Sequence, residues 1–76
     1  MATKLQTMNE AIEGRGCLGK AAADEPVFVL RAQDIHSADL VEKWAIWSAQ
    51  SAPQKASEAR QIAADMRAWP TKKAPD

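Results

Sequence analysis

Two prolines, Pro53 and Pro70, bracket a stretch in which Ala59, Ile62, Ala63, Met66 and Trp69 recur at i, i+3, i+4, i+7 and i+10. That spacing marks one face of a helix, and Glu58, Arg60, Gln61, Asp65 and Arg67 fall off it. Proline fits the first turn of a helix and stops one further along, so the helix is predicted to begin near Pro53 and to end before Pro70. Upstream, Leu40, Val41, Trp44, Ala45, Trp47 and Ser48 repeat at three- and four-residue spacing and predict a second helix. Asp34 or Ser37 can cap its start and Asp39 suits its first turn. It should end near Ser51, because Pro53 disfavours helical geometry in the residue before it. The short connection forces the two helices into an antiparallel hairpin.

The rest of the chain adds little to that hairpin. Seventy-six residues make one domain, and a chain this small buries only about 60% of the surface it exposes when unfolded. A doubly wound sheet, a barrel, or separate cofactor and substrate domains are excluded by size. Asp24-Glu25-Pro26 reads as a helix start, whereas Val27-Phe28-Val29-Leu30 is strand chemistry. No other segment resembles a strand, so a short helix over 25–33 is expected, with a strand at 26–31 paired between subunits as the alternative. The expected fold is therefore all-α: a helical hairpin plus one short N-terminal helix, in three parts. Residues 1–23 form a flexible arm ending in a glycine loop, 24–70 a helical domain and 71–76 a polar tail. The expected core is Val27, Leu30, Leu40, Val41, Trp44, Ile62, Met66 and Trp69, while the sixteen alanines favour helix and allow close helix approach but bury little area each. Ile46 and Trp47 cannot both join it, and so thin a core predicts self-association.

Chemistry-bearing motifs are sparse. Gly14 to Gly19 matches G-x-G-x-x-G and Gly14 to Lys20 matches G-x-x-x-x-G-K, but Ala21 stands where a phosphate loop needs Ser or Thr. No strand precedes it, so a glycine loop is expected rather than a nucleotide site. Cys17 and His36 are the single cysteine and the single histidine, too few for a closed zinc site and without an orienting partner for nucleophilic catalysis. No disulfide can form within the chain, and Met1 to Met8 lacks the apolar run of a signal peptide. A cytoplasmic, non-catalytic protein without cofactor or metal is expected. Ten basic and ten acidic side chains balance to zero, which argues against non-specific nucleic-acid binding.

Trp44 and Trp69 suit the core, and Trp47, one turn from Trp44, is left for an outer surface. The candidate binding residues are Arg31, Asp34, His36, Lys43 and Trp47. Together they offer a guanidinium fork, a helix start and a flat apolar ring, a combination that suits either an anionic ligand or a protein hot spot.

The run Cys17 to Asp34, with Trp44-Ala45, Met66 to Pro70, Lys72-Lys73 and Pro75-Asp76, resembles a set of short uncharacterised proteins of bacteriophages and prophages of Gram-negative bacteria. Their shared pattern is C-L-G-K-A-x-x-D-E-P-x-F-x-L-R-A-Q-D, then W-A, then M-x-x-W-P, and only the first sixteen residues here lie outside it. The resemblance implies a phage accessory protein acting in the cytoplasm of a bacterial host, and it carries no known activity. Three functions follow as expectations. The first is a binding protein that blocks or recruits a host protein, as in counter-defence. The second is an oligomeric sponge for an anionic signalling nucleotide, and the third a small nucleic-acid-binding regulator.

Overall fold

Thr3 opens the first helix: its Oγ1 accepts from the Gln6 N–H at 3.2 Å while Gln6 Oε1 accepts from the Thr3 N–H at 3.2 Å. This reciprocal capping box satisfies donors that a bare helix start leaves unpaired. Helix α1 (Lys4–Ile12) ends in a Schellman turn, in which Gly14 N–H reaches Ala11 O at 3.1 Å and Arg15 N–H reaches Glu10 O at 2.7 Å. Gly14 supplies the positive φ of +72° that this turn requires. The chain then enters α2 (Gly16–Lys20), folded back on α1 so closely that a Cβ on Gly19 would lie 2.6 Å from the Gly14 backbone. The glycine motif is thus the corner between two helices and not a phosphate loop. Two helices occupy the segment expected to be a flexible arm.

The computed structural model describes residues 3–74, so Met1, Ala2, Pro75 and Asp76, the extreme ends of the expected arm and tail, lie outside the described residues. Beyond α2, residues 22–36 are irregular up to α3 (Ser37–Ser48), and a turn leads from there into α4 (Pro53–Ala68). Pro53 stands at the first position of α4, and α3 ends three residues before the expected Ser51. The all-α hairpin is the fold: α3 packs on α4 and α1 on α2, and among the described residues no helix of one pair touches a helix of the other.

The expected helix over 25–33 does not form, and no strand forms at 26–31 within the described chain. Glu25 closes a local turn instead, its N–H donating to Ala22 O and its Oε1 accepting from Ala22 N–H, both at 3.1 Å. The backbone further on is committed elsewhere. Lys73 N–H donates to Gln33 O at 2.8 Å, Ile35 N–H to Lys73 O at 3.2 Å and Lys72 Nζ to Ala32 O at 2.9 Å. Lys72 Nζ also reaches the Met66 carbonyl at the end of α4. Residues 72 and 73 of the expected polar tail therefore lie against 32–35 through an isolated parallel bridge at Asp34.

The core is the main departure from expectation. Its buried apolar residues are Ala38, Ala45, Ala56, Ala59 and Ala63, with Ser37 as the buried polar residue. Val41 and Ala49 pack against the Ala45-Ala56-Ala59 cluster. Of the expected core, Leu30, Val41, Ile62 and Met66 are only half-buried, and Val27, Leu40, Trp44 and Trp69 are exposed. The reason is the width of the seam: helices meeting through methyl groups approach closely, and larger side chains flanking the contact line splay outward.

Candidate functional site

Along α3, one turn after another places residues on two adjoining stripes. Ala38, Val41 and Ala45 face α4, while Leu40, Lys43 and Trp47 share the outer face with Asp39 and, at the helix start, His36. His36, Asp39, Leu40, Lys43 and Trp47 line one shallow hollow of about 610 Å³. Three of the five sequence-predicted site residues, His36, Lys43 and Trp47, are brought together there. Asp39 and Leu40 join them, although sequence reading placed the first in the helix's first turn, favoured by the dipole, and the second in the core. Each lies three or four residues from both His36 and Lys43 and seven or eight from Trp47, and that helical spacing was the signal that could have found them.

The other two predicted residues stand apart from the hollow. Asp34 builds the turn ahead of α3: its Oδ1 accepts from His36 N–H at 2.8 Å and its carbonyl accepts from Ser37 N–H at 3.2 Å. That Asx-type turn leads the chain into the helix, so the carboxylate serves local structure. Arg31 is exposed, without a side-chain partner among the described residues, and is not part of the lining.

The electrostatics of the hollow are mixed. Lys43 brings one positive charge and Asp39 one negative charge, and Asp39 Oδ1 is also an acceptor for Arg67 Nη2 at 3.0 Å. Arg67 bridges Glu42 and Asp39 from α4, tying the carboxylate edge of the hollow to the second helix. Its pKa is raised above the usual guanidinium value, first by the hydrogen bond to Glu42 and then by that to Asp39. Among the described residues no cluster of His, Cys, Asp and Glu could hold a metal ion. Cys17 is exposed on α2 rather than in a loop. No described helix is long and apolar enough to cross a membrane.

What this arrangement offers chemically is an apolar plate with a charged rim of both signs. Trp47 is 73% exposed and Leu40 53%, with Trp44 and Ile46 exposed on the neighbouring turns. No protein-family model matches the chain, nor does any curated protein or solved structure.

Proposed function

We propose that this is a non-catalytic binding protein that docks on another protein through the outer face of α3, with Trp47 as the anchor. The exposure of Trp47 beside Leu40, over a core filled by alanine, carries the proposal: a large ring held outside at that cost in solvation suits a partner that covers it. The rim of the hollow adds a cation and a carboxylate, which favour register with a protein surface of mixed charge. An anionic nucleotide would meet Asp39 as well as Lys43, and Arg31 lies outside the lining. On that balance we rank the sponge second. The nucleic-acid regulator remains weakest, on the zero net charge.

The setting we infer, a phage accessory protein that blocks or recruits a host protein in the bacterial cytoplasm, rests on the resemblance carried by Cys17 to Asp34, Trp44-Ala45 and Met66 to Pro70. Affinity capture from host lysate tests the reading when run with variants. Trp47→Ala should lose the captured protein and Trp69→Ala, exposed at the far end of α4, should keep it. Thermal shift against a nucleotide panel tests the sponge. A ligand at 100 times its dissociation constant adds about 2.7 kcal/mol, or roughly 10–20 °C in a domain of this size. Such a shift, together with capture that does not depend on Trp47, would overturn the proposed order.

A further inference from the structure

The chain exposes more surface than a folded monomer of its mass should. Its accessible area is 6130 Å², whereas a globular protein of 8.3 kDa exposes about 4,600 Å². The excess is roughly 1,500 Å² per chain, within the roughly 1,000–2,500 Å² that each partner contributes to an obligate homodimer. The segment least suited to water lies between the two helix pairs. Phe28 is 85% exposed and Val29 71%, and no backbone N–H or C=O of Val27 through Leu30 has a partner among the described residues. A β-branched and aromatic run with free backbone groups is a template for strand pairing.

The geometry points to a second copy of this chain as the occupant, paired antiparallel through residues 26–30 about a two-fold axis at Phe28, with Glu25 and Arg31 flanking the ladder. A two-fold axis there sets Val27 against Val29 of the other copy, Pro26 against Leu30 and Glu25 against Arg31, each twice. Three features of the sequence fit this register. With Phe28 facing its own copy as a non-hydrogen-bonded pair, the Val27–Val29 pairs exchange the ladder bonds. Pro26 then falls at a position whose N–H would point away from the partner, so its missing donor costs nothing. Finally, the exposed Arg31 guanidinium, without a side-chain partner within the described chain, meets the Glu25 carboxylate across the axis, where Oε2 is free while Oε1 accepts from Ala22. The surface is separate from the α3 hollow, so a dimer leaves that face open to a different protein.

Light scattering of the full chain is expected to give twice the 8.3 kDa chain mass at micromolar concentration. A constant 8.3 kDa species up to millimolar concentration would overturn the proposal. Charge reversal tests the register itself. E25R or R31E alone places like charges across both ends of the pairing and should raise the dimer dissociation constant about tenfold. The E25R/R31E double variant should recover it, and an equimolar mixture of the two single variants should associate more tightly than either alone. Failure of both rescues would exclude this register. Val29→Pro removes a ladder donor and should abolish the dimer, with helix content checked by circular dichroism. If that variant loses helix, the charge-reversal set still decides.

Discussion

Ser37 is the first residue of α3, fully buried, and its Oγ has no hydrogen-bond partner. A buried hydroxyl left unsatisfied costs about 1–3 kcal/mol, so Ser37→Ala should stabilise the fold by roughly 1 kcal/mol, read as a higher urea midpoint at unchanged slope. A loss of stability would mean that the hydroxyl serves the helix start. Trp69 makes the opposite case. From its stripe position it should be a core ring whose removal costs roughly 3–5 kcal/mol, but it caps the end of α4 at 54% exposure. Trp69→Ala is therefore expected to cost less than about 1.5 kcal/mol by chemical denaturation, in keeping with partial burial. Arg67 is held by an exposed pair of carboxylates, and its raised pKa means that folding favours the charged guanidinium. That contribution is fully present below the ordinary arginine pKa and fades only as pH rises through the raised value, so titration of Arg67 leaves stability near neutral pH unchanged. Salt, by contrast, should weaken it.

The elements differ in how much of each could be read from the chain. The hairpin was legible because proline punctuation and 3.6-residue periodicity agree over Pro53 to Trp69. Helix α1 was missed although its signals were present: Thr3 and Gln6 form a capping box and Gly14 is a helix stop, but the exposed stripe of Leu5, Met8 and Ile12 gave no promise of burial. The irregular segment 25–33 was decided by hydrogen bonds from Lys72 and Lys73, some forty residues on, which no local pattern reveals. In the site, helical spacing was enough to group His36, Lys43 and Trp47. Asp34 was legible as a cap candidate, and its carboxylate is taken up one step earlier, in the turn that leads into the helix N-cap His36. The corner between α1 and α2 has its own test. Gly14→Ala forces a side chain into the left-handed region at φ +72° and should cost about 1 kcal/mol, although the space around it is open. Gly19→Ala meets the Gly14 backbone and should separate α1 from α2 while leaving α3 and α4 intact, visible as faster amide exchange confined to residues 4–20.

At the scale of the molecule, small side chains fill the inside and large ones cover the outside. The Cα radius of gyration is 13.0 Å, against about 11.4 Å for a compact domain of this length. The two helix pairs form an open arrangement, each with large apolar side chains outward. The proposed docking face on α3 and the proposed pairing around Phe28 both build on this inversion. It is tested most directly by urea unfolding of Ala45→Leu and Trp47→Ala at one protein concentration. Ala45 is fully buried where α3 meets Ala56 and Ala59, so adding a branched side chain there should cost about 1–3 kcal/mol. Trp47 lies outside, and its removal should change stability by less than about 0.5 kcal/mol. The reverse order, with leucine tolerated at 45 and several kcal/mol lost at 47, would contradict the account.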